Sequence, residues 1–296
     1  MAYLQTIIFL LFTCNSFSQK LTLEDGIYSE IVNCNDSTVH KYTIDNISYS
    51  LNKEFIYDYY YIDSLNRKFK FIQDNKYSFD NPLNLVSVDS LKDNFIEKIK
   101  IIVSDPIEIF SSFDSSYNQT VFSYDYLNNI SFSEDTLYPL CQFFSKDNRY
   151  YNEPCGDEYT GVVDNRINLW IHPPRKYTFR ILQLCPYPFY YLNESIKQWE
   201  WNLTTNGFYL DSRWIKSTES ITINYDYKRM PDEKLKTSFG LLQCKVTSAT
   251  GTIKNGKIPF NTNLKSYYHP DYGFVKLEYD LINKDKIVIN LIEMNR

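Results

Sequence analysis

Three stretches in the C-terminal half of the chain alternate apolar with polar residues, and few folds accommodate this pattern. A period of two residues places the apolar side chains on one face of a β-strand. The apolar positions are Ile221, Ile223, Tyr225 and Tyr227 in the first stretch, Val275, Leu277, Tyr279 and Leu281 in the second, and Ile287, Ile289 and Leu291 in the third. Between the first two stretches, the dipeptide at residues 255–256 is Asn-Gly, which suits the positive φ angles of a tight hairpin turn. The C-terminal half is therefore predicted to be an antiparallel meander.

The composition favours the same class of fold. Aromatic residues make up 17% of the chain, with 27 Tyr and 20 Phe against 8 Gly. Such residues fit the pleated, half-buried surface of a strand. Near the N-terminus, Tyr57, Tyr59 and Tyr61 alternate before a polar turn at residues 63–66, which predicts a β-hairpin. We therefore predict a mainly β protein, an antiparallel meander built as an open half-barrel or a sandwich.

One amphipathic helix is predicted at residues 89–103. Asp89 or Ser90 can cap its N-terminus, and Pro106 follows its end. Apolar residues recur at three- or four-residue spacing, at Leu91, Phe95, Ile99 and Ile102. Such a stripe usually covers one face of a sheet.

The first eighteen residues are predicted to be a signal peptide. They carry no charged side chain, residues 6–13 form a short apolar run, and Ser16 and Ser18 are small residues at the positions that a signal peptidase recognises. Cleavage is predicted before Gln19, with a lipid anchor at Cys14 as the alternative. No later run is long and apolar enough for a membrane helix. The exported chain would lie in the periplasm or at the cell surface.

A boundary between two regions is predicted near residues 114–117. Residues 109–120 hold the most polar cluster of small residues after the signal peptide, and such clusters are typical of loops. The chain then divides into a β-rich region at residues 19–113 with the one helix, and an antiparallel β domain at residues 118–296.

The cysteines show no metal-site spacing, and the predicted export would place them in an oxidising compartment. Cleavage would leave Cys34, Cys141, Cys155, Cys185 and Cys244, an odd number, so that at least one stays free or pairs between chains. Cys141 and Cys155 flank a polar stretch that a disulfide would close, and we predict this pairing. None of the spacings resembles a zinc site.

Charge and motifs exclude several functions. The net charge is -5 and no basic cluster exceeds two residues, so nucleic acid is not expected as a partner. No hydrolase, zinc-protease or phosphate-binding motif is present. We predict no catalytic residues, no metal and no cofactor, and the sequence favours a protein that is not an enzyme.

The stretch at residues 168–201 is the predicted centre of the structure, because it holds three of the 4 tryptophans. Trp170 is expected in the core. Prolines on both sides limit a predicted strand to residues 177–184. His172 and Arg175 would lie at the mouth of that strand, either satisfying backbone carbonyls or contacting a ligand.

Two blocks of the sequence resemble known proteins. Residues 170–175 (Trp-Ile-His-Pro-Pro-Arg), with Trp199 and Trp201, and residues 272–279 (Tyr-Gly-Phe-Val-Lys-Leu-Glu-Tyr) are similar to uncharacterised secreted proteins of Bacteroidota, over residues 119–290. The second block also resembles the open half-barrels of bacterial lipoprotein carriers, whose concave apolar face holds acyl chains. The carriers lack a block matching residues 172–175, so this resemblance implies a fold and assigns no lipid contact.

Three functions remain open from the sequence. The first is a secreted or periplasmic protein that binds a lipid or another apolar ligand, with His172, Arg175, Leu277 and Tyr279 as the candidate ligand-binding residues. The second is a structural or interaction module of the cell envelope without a small ligand. The third is a hydrolase-like enzyme that uses His172. A deep apolar pocket would favour the first and a filled core the second.

Overall fold

The structure of the chain is a computed structural model. It describes residues 20–24, 27–31, 48–50, 52–72, 83–90, 95–104, 120–128, 140–144, 150–154, 158–164, 168–174, 177–206, 211, 213–215, 220–253 and 261–295. The predicted signal peptide, Cys14, Arg175, Cys155 and the Asn255-Gly256 turn lie outside these residues.

Eighteen strands and two short 3₁₀ helices make up the described chain. In the first half the strands are β1 (Lys20–Glu24), β2 (Ile27–Ile31), β3 (Glu54–Ile62), β4 (Lys68–Phe71), β5 (Leu85–Ser87), β6 (Ile96–Ser104), β7 (Thr120–Asn128), β8 (Leu140–Phe144) and β9 (Tyr150–Pro154). In the second half they are β10 (Glu158–Asp164), β11 (Asn168–Ile171), β12 (Phe189–Tyr191), β13 (Gln198–Asn206), β14 (Ser220–Thr237), β15 (Gly240–Ile253), β16 (Asn261–His269), β17 (Gly273–Asp280) and β18 (Lys286–Asn295). The 3₁₀ helices are Val88–Ser90 and Tyr177–Leu184.

One large antiparallel sheet dominates the structure. It has 14 strands, and its main path runs β12-β11-β10-β7-β6-β3-β18-β17-β16-β15-β14-β13. The last six strands in sequence form the predicted meander, and the last of them, β18, pairs with β3. β1 with β2 and β8 with β9 form two separate hairpins. The predicted fold class, mainly β and antiparallel, is confirmed.

The connectivity forces this sheet to curl. β12 and β13 lie at opposite ends of the main path, yet only residues 192–197 connect them. Twelve strands laid flat at roughly 4.8 Å spacing would span about 50 Å, whereas such a connection reaches about 25 Å at most. The two ends therefore approach each other across the inner face, and because β12 and β13 do not pair, the sheet stays open.

The inner face of the curled sheet carries the core. Alternate side chains of β3 point inward, and Tyr57, Tyr59 and Tyr61 are all buried. The predicted N-terminal hairpin is confirmed, since β3 pairs with β4 around the turn at residues 63–66. The three alternating stretches of the C-terminal half are likewise strands, and they belong to β14, β17 and β18.

The predicted helix at residues 89–103 is wrong. Only Val88–Ser90 forms a single 3₁₀ turn, and Ile96–Ser104 is strand β6 between β3 and β7. Ile99, Ile101 and Val103 are buried at a period of two. The β-branched residues at these positions suit a strand, and pairing on both sides outweighs the helical spacing seen in the sequence.

The predicted strand at residues 177–184 is also wrong, because this segment is a 3₁₀ helix. Ile181 and Leu182 are adjacent and both fully buried, which one face of a strand cannot achieve.

Strands from both sides of the predicted domain boundary share the sheet, since β6 pairs with β7. The division near residues 114–117 stays a prediction.

Candidate functional site

Residues 168–191, which we call the inner segment, lie against the inner face of the curled sheet. Trp170 of β11 packs edge-to-face on Trp201 of β13, with ring centroids 5.6 Å apart. Phe179 of the 3₁₀ helix contacts the Tyr59 ring of β3 at 4.9 Å. At its end, Tyr190 stacks on Tyr268 of β16 at 4.7 Å. The segment therefore contacts the inner face from β3, in the middle of the sheet, to β13, at one end of it, as expected for the centre of the structure.

Side chains of the sheet bind the backbone of the inner segment. The Tyr227 hydroxyl donates to the carbonyl of Tyr187 at 2.9 Å, and the Thr262 hydroxyl donates to the carbonyl of Leu184 at 2.9 Å. These carbonyls lie outside any β-ladder, and buried carbonyls require a partner. Burial raises the pKa of the Tyr227 hydroxyl well above its ordinary value, so it remains a proton donor. The contacts fix the inner segment as part of the core.

His172 directly follows β11 in the inner segment and lies in an aromatic cluster. Its ring centroid is 4.7 Å from that of Trp170 and 4.9 Å from that of Tyr187. Pro173 and Pro174, which follow it, are buried. Arg175 lies outside the described residues, so its proposed partnership with His172 stays a prediction.

Leu277 and the two prolines line the same small cavity. The cavity measures about 10 Å³ and lies between inner-face side chains of β3, β6, β17 and β18 and the inner segment's Ile171, Pro173 and Pro174. This is about the space of one water molecule. The structure thus brings Leu277 next to the block that contains His172, but it leaves little room between them.

Tyr279 does not line this cavity. It is buried two residues further along β17, opposite Leu264 of β16. Of the three candidate ligand-binding residues that the structure describes, His172, Leu277 and Tyr279, only Leu277 lines the cavity itself.

Arg229 is a residue that the sequence analysis missed. Its guanidinium donates to the Tyr190 hydroxyl and the Tyr191 carbonyl at 2.6 Å each, and to the carbonyls of Asn193 and Ile196 at 3.3 and 3.2 Å. A guanidinium offers five N–H donors in a fixed fork. Arg229 on β14 therefore holds the connection between β12 and β13, and nothing in the local sequence signals this long-range role.

A second missed cluster surrounds the buried carboxylate of Asp164. It accepts hydrogen bonds from the backbone N–H groups of Ser48 and Tyr49 at 2.9 and 2.8 Å. The Tyr49 hydroxyl in turn accepts a bond from the Phe274 N–H at 2.9 Å. The cluster connects β10, the residues before β3, and β17, which are far apart in sequence.

Two cysteines of the described residues, Cys185 and Cys244, are kept in the thiol form by burial. Cys185 and Cys244 are buried free thiols. Burial raises the pKa of the Cys185 thiol far above its ordinary value, and burial raises that of Cys244 to about 11. Both remain protonated at neutral pH. Cys141 lies in β8 opposite Glu153, and its predicted disulfide with Cys155 stays a prediction because Cys155 lies outside the described residues.

Metal-ion clusters and membrane-spanning helices are both absent from the described residues. Within the described ranges, no group of three or more His, Cys, Asp and Glu side chains is placed to hold a metal ion. In those ranges there is also no helix with the length and apolar character needed to cross a membrane.

Comparison with known proteins gives structural neighbours only. No family model matches the chain, and no curated protein matches it. A presumed exported protein with a YmcC-like fold from Bacteroides fragilis is similar, with 9% identity, a TM-score of 0.38, and coverage of 85% of this chain and 99% of its own. A presumed lipoprotein from Parabacteroides distasonis is similar, with 9% identity, a TM-score of 0.43, and coverage of 86% and 99%. Both sources are Bacteroidales.

Proposed function

We propose that the chain is an exported structural or interaction module of the cell envelope, and that it acts through its outer surfaces without enclosing a small ligand. The observation that supports this most directly is the filled inner face of the sheet. Phe179, Ile181, Leu182 and Leu184 of the inner segment are all fully buried there.

A carrier for an apolar ligand needs the space that this segment takes. Pockets for small molecules commonly measure roughly 300–1,000 Å³, whereas the cavity beside Leu277 measures about 10 Å³. Protein interiors are close-packed and do not yield space without cost. To admit an acyl chain, the inner segment would have to leave the sheet and break its bonds to Tyr227 and Thr262.

Export is supported by the sequence of residues 1–18, with cleavage before Gln19. A lipid on Cys14 remains the alternative attachment. In either case the folded β protein would lie outside the cytoplasm, where the predicted pairing of Cys141 with Cys155 is chemically favoured.

The second candidate function is binding of an apolar or amphiphilic ligand. One observation favours it: the cavity is lined by apolar side chains and is covered by the two consecutive prolines Pro173 and Pro174. Movement of this proline pair would expose Leu277, and each CH₂ group of a ligand then buried would contribute about 0.8 kcal/mol.

Titration with a fluorescent fatty-acid probe separates the two functions. We expect no saturable binding by the folded chain at micromolar concentration, because the inner face is filled. Saturable binding would refute the proposed function. Leu277→Ala and Leu241→Ala would then locate the site, since Leu277 lines the cavity whereas Leu241 is 67% exposed on β15.

A further inference from the structure

Strand β13 forms one end of the large sheet. It pairs with β14 over its whole length, from Gln198 opposite Lys228 to Asn206 opposite Ser220, without a register shift. In the part of the chain that the structure describes, no strand pairs with its other side. Edge strands are commonly protected by charged side chains, Pro, a bulge or short length. β13 is a regular strand of 9 residues without Pro, Lys or a bulge, and Glu200 is its one charged residue.

The two faces of β13 differ in character. Glu200, Asn202 and Thr204 are exposed on the outer face of the sheet. On the inner face Trp201 is buried and Leu203 is half-buried. An added strand would therefore need the same alternation, polar outward and apolar inward, in order to continue both faces.

We propose that β13 pairs antiparallel with β13 of a second copy of this chain, with the two-fold axis at Asn202. This inference rests on the proposed function and names the partner. In this register Trp201 faces Leu203 of the second copy, and Glu200 faces its Thr204, each pair occurring twice. Asn202 faces Asn202 of the second copy, and two side-chain amides can exchange hydrogen bonds. A two-fold interface requires such self-complementarity.

The outer face of β13 supports this register through hydrogen-bond chemistry. The Thr204 and Thr222 hydroxyls are 3.0 Å apart. A hydroxyl both donates and accepts, so Thr204 can accept from Thr222 and donate to Glu200 of the second copy. On the inner face the half-buried Leu203 would lie beside Trp201 of the second copy, whose ring is already buried within its own chain, so Leu203 is the residue that would gain burial.

A hydrogen bond from the second copy would stabilise the carboxylate of Glu200. It lies directly opposite Asp226 on β14, and like charges opposite each other destabilise a sheet. Neither carboxylate forms an ion pair within the described ranges. Donation from the second copy's Thr204 would lessen the repulsion. Pairing of the two β13 strands would therefore reduce the repulsion between Glu200 and Asp226 that exists in the single chain.

Light scattering coupled to size exclusion, over a concentration series of the mature chain, tests the proposal. The chain is expected to dimerise, and Thr204→Glu is expected to raise the dimer dissociation constant about tenfold or more, because it places two Glu pairs opposite each other. Adding Glu200→Lys to Thr204→Glu turns both pairs into opposite charges and should restore the dimer. Ser248→Glu is the matched control, since it adds the same charge on β15, opposite Lys228 and Lys265.

The outcomes are distinct from those for the proposed function. A monomer at every concentration, a dimer unaffected by Thr204→Glu, or a double variant as weak as the single one would each overturn pairing through β13. Circular dichroism of each variant identifies any that fails to fold, and Asn202→Glu, which places Glu opposite Glu at the axis, provides a second disrupting variant. None of these results involves fatty-acid binding, which tests the filled interior separately.

Discussion

Trp170→Ala is expected to destabilise the protein by about 3–5 kcal/mol, the usual cost of removing a large buried aromatic side chain. Trp170 is only 5% exposed. Its ring contacts Trp201 of β13 at 5.6 Å and Tyr187 at 5.6 Å. Truncation leaves a cavity where the inner segment meets the opposite end of the sheet, and the neighbouring rings cannot collapse fully into it.

Chemical unfolding of the purified chain measures this loss. Trp170→Phe is the matched control, because it keeps an aromatic ring, and the Trp170 indole N–H finds no hydrogen-bond partner among the described residues. We expect the Phe variant to lose much less stability than the Ala variant. An unchanged midpoint for Trp170→Ala would show that the inner segment is not the centre of the structure.

Gly273→Ala is expected to destabilise the chain by about 2–5 kcal/mol, from left-handed backbone strain together with a lost buried hydrogen bond. Gly273 has a φ of 69°. A Cβ atom there would lie 2.5 Å from both the hydroxyl oxygen and Cζ of Tyr49. Tyr49 is fully buried, so its ring has no open space to move into. Its displacement would break the bond from the Phe274 N–H and disturb the Asp164 cluster.

Gly240→Ala separates the backbone strain at positive φ from the loss of the Tyr49 hydrogen bond. Gly240 also has a positive φ, 102°, but a Cβ atom there would meet nothing within 4 Å. This variant is expected to lose only the strain energy, about 1–2 kcal/mol. Denaturant midpoints of both variants give the comparison. If Gly273→Ala cost no more than Gly240→Ala, the close packing of Tyr49 against β17 would be wrong.

The elements that the sequence predicts well are those whose partners lie nearby in the chain. β14, β17 and β18 have one buried face and one face in contact with solvent. Apolar and polar residues therefore alternate with a period of two, and this alternation is visible in the sequence. Residues 96–104 were predicted wrongly because a register shift between Ile96 and Lys98 interrupts the alternation in β6, and its isoleucines fit a helical spacing equally well. Local periodicity does not record long-range pairing.

The candidate site was predicted only in part, for a related reason. The density of Trp and Pro in residues 168–201 correctly marked the centre of the structure. It did not show that Tyr177–Leu184 folds as a 3₁₀ helix, nor that this helix fills the inner face. Arg229 and Asp164 act on segments far from them in sequence, and a single charged residue in a strand gives no sign of such contacts.

Native mass spectrometry of the protein purified from its own cell envelope tests the central claim, a filled interior in an exported chain, most directly. We predict a polypeptide that begins at Gln19 and carries no bound lipid or other apolar ligand, because the inner segment occupies the inner face of the sheet. A stoichiometric apolar ligand that leaves the protein only on unfolding would contradict this account, and so would an intact Met1.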